Sequence, residues 1–249
     1  MTTQNYFEPR EKGEHAIVLE GNKEIFGSGA LAEVGAHAHH LGMRRVALYT
    51  DPQVGKLPWL ETVEKSLRDR GIRVSIFTGV EIEPSDRSLK AAVRFAEEDD
   101  FDGFVSIGGG SVIDTCKAVS LYASYPPEHF LDYVNQPLGR ALPAPGPLKP
   151  HIACPTTFGT ASECTSVAIF NFLELGTKAG ISNRAIKPAL GIVDPEALQT
   201  LPAPVVAANG MDVFSHAVES YTARPYTQRP APADPTNRPV IQGCLLYTS

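Results

Sequence analysis

A short apolar run that breaks into three consecutive glycines constrains the fold of this chain more than any other feature. The run covers 104–107, the glycines are Gly108, Gly109 and Gly110, and a helical pattern begins directly after them. This order predicts a strand, a tight turn and a helix N-terminus. Glycines leave the backbone open to a ligand and the helix dipole favours an anion, so the turn suits a pyrophosphate. A plain tight turn is the alternative, because the glycine spacing differs from the usual G-x-G-x-x-G fingerprint.

Strands and helices are predicted to alternate up to about residue 200. Apolar runs between turn residues predict strands, and apolar residues at i, i+3, i+4 and i+7 predict helices, most clearly over 86–99. Ser111 is predicted to cap the helix after the glycines, with Asp114 in its first turn. Such alternation is typical of an α/β domain whose parallel sheet carries helices on both faces. The predicted strands are 16–26 (a strand or a hairpin), 46–50, 74–77, 104–107, 152–154 and 190–193, with 167–170 and 178–181 as a pair.

Two polar segments follow predicted strands, at the edge where α/β sheets bind ligands. Asp51 can accept hydrogen bonds from a ribose, and an Asx turn before Pro52 is an equally good interpretation. The loop 155–163 is dense in hydroxyls and backbone donors, which suit phosphate and ribose. A helix cap with Ser162 as the N-cap residue is its alternative.

The pattern changes after Leu201, where we place a domain boundary. Residues 205–221 predict a helix that no strand follows. Asp212 and His216 lie four residues apart and therefore on one face of this helix. This is the spacing at which a helix can offer two ligands to one metal ion. A carboxylate with an imidazole suits Fe²⁺ or Zn²⁺. A side-chain hydrogen bond on the helix face is the alternative, because a catalytic metal site needs at least three protein ligands.

Composition excludes several classes of function. The formal net charge of −6 and the scattered Lys and Arg residues argue against a nucleic-acid partner. No apolar segment approaches the roughly 20 residues that span a bilayer, so we expect no membrane partner. Residues 1–14 lack an apolar signal core and an Arg-rich, acid-poor character, which favours a cytoplasmic protein, or one of the mitochondrial matrix if the source is eukaryotic. Four widely spaced cysteines are expected to be small core residues in a reducing compartment rather than metal ligands: Cys116, Cys154, Cys164 and Cys244.

Four motifs, in this order, resemble the iron-containing (group III) alcohol dehydrogenases. The resemblance runs from about residue 25 to residue 243, and its motifs are 108–117, 155–163, 193–195 and 210–219. The chain is most similar to the hydroxyacid–oxoacid transhydrogenase branch of that family. The stretches that resemble this branch are 114–124, 130–134, 182–188 and the proline-rich segment 238–243.

The resemblance implies an architecture, two cofactors and a set of site residues. It implies an α/β dinucleotide-binding domain of residues 1–200, followed at 201–243 by the beginning of an all-helical metal-binding domain. It implies NAD(H) and Fe²⁺ or Zn²⁺, with Asp212 and His216 as the first two of four metal ligands. It assigns no catalytic side chain. The cofactor-binding residues it implies are Gly109, Gly110 and Ser111 at the pyrophosphate with Asp114 beside them, Asp51 at the adenosine ribose, and Thr156, Thr157 and Lys178 on the nicotinamide side.

The resemblance also implies a reaction between small hydroxy acids and oxo acids. In this branch the nicotinamide is reduced by 4-hydroxybutyrate and reoxidised by 2-oxoglutarate, giving succinate semialdehyde and 2-hydroxyglutarate. Such carboxylates favour cationic partners, so Arg224, Arg229 and Arg238 are candidates, with solvated loop arginines as the alternative. Another iron or zinc alcohol or polyol dehydrogenase, or a sugar-phosphate cyclase, is a further alternative, against which the stretch 182–188 counts. A homodimer is left open.

The chain departs from the family pattern at several places. Ala161 stands where the family usually has Gly, and Glu83 precedes Pro84 where ordinary members have Asn. The family's two later histidine ligands have no counterpart after His216, and residues 244–249 resemble nothing in the family. We therefore expect a truncated reading frame with an unrelated tail, weak metal binding, little or no turnover and an exposed apolar face on the helix 205–221. An inactive fragment or a non-catalytic dinucleotide-binding module is the rival hypothesis.

Overall fold

The secondary structure follows the predicted alternation. The protein is described by a computed structural model that covers residues 11–21, 23–235, 238 and 240–242. Within these residues the α-helices are α1 (Val34–His40), α2 (Pro58–Asp69), α3 (Asp86–Glu97), α4 (Gly110–Ser124) and α5 (Ala203–Thr222). The strands are β1 (Val18–Glu20), β2 (Glu24–Phe26), β3 (Arg45–Tyr49), β4 (Arg73–Phe77), β5 (Gly103–Gly108), β6 (His151–Pro155), β7 (Val167–Phe172), β8 (Thr177–Ser182), β9 (Leu190–Val193) and β10 (Val240–Gln242).

A six-stranded sheet organises the molecule. Its order is β2–β9–β6–β5–β3–β4, and every neighbouring pair is parallel. The central strands β5 and β6 are in register, with Ile107 opposite Cys154 and Gly108 opposite Pro155. Because parallel strands end at the same edge, the glycine turn after β5 and the loop after β6 leave the sheet side by side. The predicted α/β class is confirmed.

Helices cover both faces of this sheet. Tyr49 and Phe104 pack with α3 and α4 on one face. Val46, Leu48 and Ile107 pack with α1 and α2 on the other. The central strands are therefore buried on both sides, which explains why they read as continuous apolar runs rather than as alternating ones. This two-sided core makes the sheet a rigid support for the loops at its carboxyl edge.

The structure corrects two local predictions, one about the first strands and one about the start of α4. The hairpin alternative for 16–26 is wrong, because β1 pairs with β10 and β2 pairs with β9, both in parallel. Ser111 does not cap α4, which begins after Gly109 without a side-chain cap. Asp114 consequently lies in the second turn of α4 rather than in its first.

The strand pair predicted at 167–170 and 178–181 is present as the antiparallel β7–β8 hairpin. Cys116, Cys154 and Cys164 are buried, as expected of core residues. Cys244 and the tail 244–249 lie outside the described residues. None of the helices in the described part of the chain combines the length and the apolar character that a bilayer crossing requires.

The predicted helix 205–221 is α5, and none of its residues is buried. The prediction that no strand follows it is wrong, because β10 comes after it and pairs with β1. Its exposed side chains include large apolar ones, as expected. They are Val206, Met211, Val213, Phe214, Val218 and Tyr221. The proposed domain boundary near residue 200 stays a prediction.

Candidate functional site

A cleft of about 880 Å³ opens at the carboxyl edge of the sheet. Its size is within the range of sites that hold small molecules and cofactors. The glycine turn, the loop after β6 and α5 all contribute to its wall. Every site residue that the sequence predicted lines this cleft: Asp51, Gly109, Gly110, Ser111, Asp114, Thr156, Thr157, Lys178, Asp212 and His216.

The glycine turn brings the N-terminus of α4 to the floor of the cleft. A Cβ on Gly108 would lie 2.4 Å from Cγ2 of Val112, so only glycine permits this tight entry into the helix. The positive end of the α4 dipole and its first backbone N–H groups are thereby directed to the cleft, where they favour an anion. Ser111 adds a hydroxyl, whose Oγ accepts a hydrogen bond from the backbone N–H of Glu83 at 3.1 Å. Because this oxygen accepts, its own hydrogen can be donated to a bound anion.

The loop after β6, residues 156–163, packs directly against the glycine turn. The N–H of Thr156 donates to the carbonyl of Gly108 at 2.9 Å. A Cβ on Gly109 would lie 3.2 Å from the side chain of Thr157. The short 3₁₀ turn at Ser162–Cys164 begins after Ala161, which has φ of +50°, so the alternative with Ser162 as N-cap is wrong.

Asp51 makes the turn that its neighbouring proline indicated. Its Oδ1 accepts hydrogen bonds from the N–H groups of Gln53 at 2.8 Å and Val54 at 3.0 Å. The Asx-turn interpretation is therefore realised in the structure. The carboxylate nevertheless lines the cleft, so contact with a ribose stays a prediction.

Asp114 in the cleft wall forms an ion pair with Lys117, and sequence reasoning missed the role of the lysine. Lys117 is wholly buried, and its Nζ donates to Asp114 Oδ1 at 3.2 Å, Thr165 Oγ1 at 2.9 Å and the carbonyl of Val167 at 2.8 Å. Asp114 Oδ2 accepts from the N–H of Ile169 at 3.0 Å. Burial raises the pKa of Asp114 and lowers the pKa of Lys117, against the attraction between them. The pair attaches the start of β7 to α4.

Lys178 and Glu83 meet at the mouth of the cleft. Lys178 Nζ lies 3.6 Å from Glu83 Oε1, and both side chains are exposed. Glu83 has φ of +52°, and Asn171 Nδ2 donates to its carbonyl at 3.3 Å. This side of the cleft is therefore formed by the β7–β8 hairpin and the loop before α3.

The predicted metal pair faces the same cleft from α5. His216 Nε2 lies 3.8 Å from Asp212 Oδ1, close enough for both atoms to reach one ion at about 2.0–2.2 Å. His216 Nδ1 donates to the carbonyl of Gly159 at 3.0 Å. The side-chain Nδ2 of Asn209, also in the cleft wall, has no hydrogen-bond partner among the described residues, so a bound ligand could satisfy it. A carboxylate with an imidazole suits a divalent metal such as Fe²⁺ or Zn²⁺, for which this helix offers two candidate ligands.

Other candidate groups lie elsewhere. Arg224, Arg229 and Arg238 are not part of the cleft wall, and Arg238 Nε lies 3.3 Å from the buried Glu14 Oε1. The loop interpretation of these arginines is therefore favoured. Among the described residues, three further side chains bring possible metal-binding atoms within 4.8 Å of one another: Glu24, Glu163 and Cys164. None of the three lines the cleft.

Comparison with known proteins gives one consistent answer. A family model for iron-containing alcohol dehydrogenases matches residues 22–195. The chain is 49% identical over 231 residues to a protein of Mus musculus named hydroxyacid-oxoacid transhydrogenase, mitochondrial, and covers 92% of itself and 50% of that protein. The Bos taurus protein of the same name is 49% identical over 219 residues, covering 88% of this chain and 47% of the relative. The chain thus spans about half the length of these curated relatives.

Solved structures agree with the sequence comparison. A 1,3-propanediol oxidoreductase superposes with a TM-score of 0.75 at 32% identity, over 82% of this chain and 52% of the other. An iron-containing alcohol dehydrogenase from Thermococcus thioreducens gives 0.74 at 29% identity, over 81% and 52%. Since the family model covers well over half of the sequence, this chain belongs to the iron-containing alcohol dehydrogenase family.

Proposed function

We propose that this chain supplies the dinucleotide site and two metal ligands of an oxidoreductase that transfers hydride between NAD(H) and a small hydroxy acid. One observation carries the proposal. The glycine turn at the N-terminus of α4 and the Asp212–His216 pair on α5 line a single cleft, although a hundred residues separate them along the chain. A dehydrogenase needs its coenzyme and its substrate-activating group in one such space.

Each part of the cleft has a distinct task in this proposal. The backbone of Gly109 and Gly110 and the hydroxyl of Ser111 bind the pyrophosphate, and Asp51 accepts hydrogen bonds from the adenosine ribose. Thr156, Thr157 and Lys178 border the nicotinamide side. When bound, the metal would polarise the substrate oxygen and the nicotinamide would carry the hydride. Asp212 and His216 hold that metal, which is Fe²⁺ or Zn²⁺.

The substrates and the location follow from similarity to the named relatives. We propose 4-hydroxybutyrate as the hydride donor, oxidised to succinate semialdehyde, and 2-oxoglutarate as the acceptor, reduced to 2-hydroxyglutarate. One substrate gives up a hydride and the other takes one up, so the pair of reactions balances without a further oxidant. The names of the relatives favour the mitochondrial matrix.

The number of metal ligands favours a second candidate function. α5 supplies two ligands, whereas catalytic sites hold their metal with three or more. A non-catalytic dinucleotide-binding module, or an inactive fragment, would keep the glycine turn and make no use of Asp212. If the chain is part of the oxidoreductase, we propose that on its own it binds metal weakly and turns over little substrate.

Binding of NADH tests the coenzyme part, with the fluorescence of the reduced nicotinamide as the signal. We expect Gly109→Val to weaken NADH binding at least about 10-fold, or about 1.4 kcal/mol, because its side chain would meet Thr157 and obstruct the turn. Gly27→Val is the matched control, because Gly27 has no neighbour within 4 Å of an added Cβ and lies outside the cleft wall. A folded wild-type chain that does not bind NADH would contradict the proposal.

Equilibrium dialysis with Fe²⁺ separates the two candidate functions. The proposed oxidoreductase chain binds iron, and Asp212→Asn weakens that binding without changing NADH affinity. The non-catalytic module binds NADH alone. An assay with 4-hydroxybutyrate and 2-oxoglutarate completes the test, since robust turnover by this chain would refute the argument that two ligands are too few.

A further inference from the structure

We infer that Gly159 is a positioning residue, whose backbone carbonyl selects the tautomer of His216 that presents Nε2 to a metal. The inference rests on the proposed metal-binding role of Asp212 and His216. Gly159 lies in the loop after β6, 57 residues before the histidine. Its carbonyl oxygen lies 3.0 Å from His216 Nδ1, and a Cβ added at its position would lie within 3.1 Å of Asp212.

The hydrogen bond determines where the proton of the neutral ring resides. A carbonyl oxygen can only accept, so His216 Nδ1, 3.0 Å from the oxygen of Gly159, must be the protonated nitrogen. Nε2 then carries the lone pair, and it is Nε2 that lies 3.8 Å from Asp212 Oδ1. Without such a partner, both tautomers would be populated and one of them would have no lone pair on Nε2. A hydrogen bond to the second ring nitrogen is the usual way in which proteins orient a metal-binding histidine.

The position also has a steric requirement that only glycine meets. Gly159 has φ of +108°, a conformation that residues with a side chain rarely adopt. An added Cβ would lie 2.9 Å from the carbonyl oxygen of Asn209, 2.9 Å from Asp212 Oδ2 and 3.1 Å from Asp212 Cβ. α5 therefore rests directly on this residue, and a larger residue would displace the carboxylate as well as the imidazole.

The same loop connects the histidine to the coenzyme side of the cleft. Thr157 and Thr160 lie in the same loop on either side of Gly159. A Cβ added to Gly109 would lie 3.2 Å from the Thr157 side chain, and one added to Gly110 would lie 3.1 Å from the Thr160 side chain. None of the residues of α5 is buried, so the packing of its apolar side chains holds this helix in place only weakly. The contact at Gly159 consequently sets the distance between the proposed metal ligands and the turn that binds the pyrophosphate.

The tautomer can be measured in the unsubstituted protein. Correlated ¹H–¹⁵N NMR spectra of ¹⁵N-histidine-labelled protein, recorded at a pH where the ring is neutral, distinguish a protonated Nδ1 from a protonated Nε2. Loss of one set of signals in His216→Asn assigns the residue. We expect His216 to carry its proton on Nδ1 alone, and a proton on Nε2, or a mixture such as free histidine shows, would overturn the inference.

A matched pair of glycine variants tests the mechanism. Gly159→Ala should mix the two tautomers and weaken Zn²⁺ binding, followed at the His216 signals, by about 10–100-fold. Gly176→Ala is the control, because Gly176 also has a positive φ of +58° but no neighbour within 4 Å of an added Cβ. It should leave the tautomer and the Zn²⁺ affinity unchanged.

The two proposals fail in different ways. If Gly159→Ala remains folded and binds Zn²⁺ as tightly as the unsubstituted protein, the positioning role is wrong and the metal site stands. If Zn²⁺ leaves the His216 signals of the unsubstituted protein unmoved, the proposed metal-binding role is wrong, whatever the tautomer. The measurement on the unsubstituted protein also decides the tautomer should Gly159→Ala fail to fold.

Discussion

Two of the residues at which the chain departs from its family have the same unusual backbone. Ala161 has φ of +50° and Glu83 has φ of +52°, and both lie in loops beside the cleft. This left-handed region accepts Gly and Asn most readily, and these are the residues that the resemblance leads one to expect at the two positions. The departures therefore store local strain, in loops where coenzyme contacts are proposed.

The strain at Ala161 gives a stability prediction. Ala161→Gly should stabilise the protein by up to about 1 kcal/mol, because the relief of the left-handed conformation exceeds the added flexibility of the unfolded chain. Urea unfolding followed by circular dichroism measures the effect. Gly176→Ala makes the opposite change in a position free of contacts and should lose a similar amount. A less stable Ala161→Gly variant would contradict this interpretation.

His151 gives a prediction about pH. It is buried in β6, its Nε2 lies 2.8 Å from Ser106 Oγ, and burial lowers its pKa from about 6.5 to about 3. Between these values the unfolded chain binds a proton that the folded protein does not, so stability is full above pH 6.5 and is lost as the pH falls toward 3. The loss from this residue should reach about 2 kcal/mol at pH 5.

The variant His151→Gln isolates this contribution. Its amide can still meet the Ser106 hydroxyl and does not titrate, so its unfolding free energy should vary less between pH 6.5 and 5. Denaturant unfolding at a series of pH values measures both proteins. Equal slopes for the two proteins in this range would show that His151 is not the group responsible.

At the level of elements, the sequence pattern predicted those features that depend only on residues close together in the chain. The helix expected over 86–99 is α3, Asp86–Glu97, whose N-terminus is fixed by hydrogen bonds between Ser85 and Ser88. The beginning of α4 was predicted less well. Ser111 has the chemistry of a cap, but its hydroxyl bonds to Glu83 from a distant loop. The partners of β1 and β2 were likewise beyond local reasoning, because each pairs with a strand more than 150 residues away.

The exposed face of α5 predicts self-association. Met211, Phe214, Val218 and Tyr221 recur at helical spacing, and all four are exposed. We expect the double variant Met211→Glu/Phe214→Glu to self-associate less than the unsubstituted protein, because contiguous apolar surface promotes association. Sedimentation velocity measures the difference. Stability should change by no more than about 0.5 kcal/mol, because no buried contact is lost.

Phe26→Glu serves as the control for this test. Phe26 is 76% exposed but lies on β2 rather than on α5. It should leave the association unchanged. If both variants reduced association equally, general hydrophobicity rather than the face of α5 would be the cause.

At the scale of the whole molecule, the sequence predicted which residues line the cleft better than it predicted which hydrogen bonds hold them in place. All ten predicted residues line one cleft, from Asp51 to His216, because the ends of parallel strands converge and the family motifs identify those ends. The contact between Gly159 and His216 and the attachment of Lys117 to β7 had no local signal. Each joins elements that are adjacent only after the sheet has formed.

The strand order also creates a delay between the synthesis of β2 and the synthesis of the strand that it pairs with. β2 comes first in chain order among the strands of the six-stranded sheet, yet its neighbour there is β9, which begins at Leu190. At translation rates of about 5–20 residues per second, β2 waits roughly 8–33 seconds for that neighbour. Only in the last part of this interval, roughly 2–7 seconds between the synthesis of β6 and that of β9, does β6 present an open edge to other nascent chains. The yield of native protein should therefore respond to the speed of elongation through the segment that precedes β9.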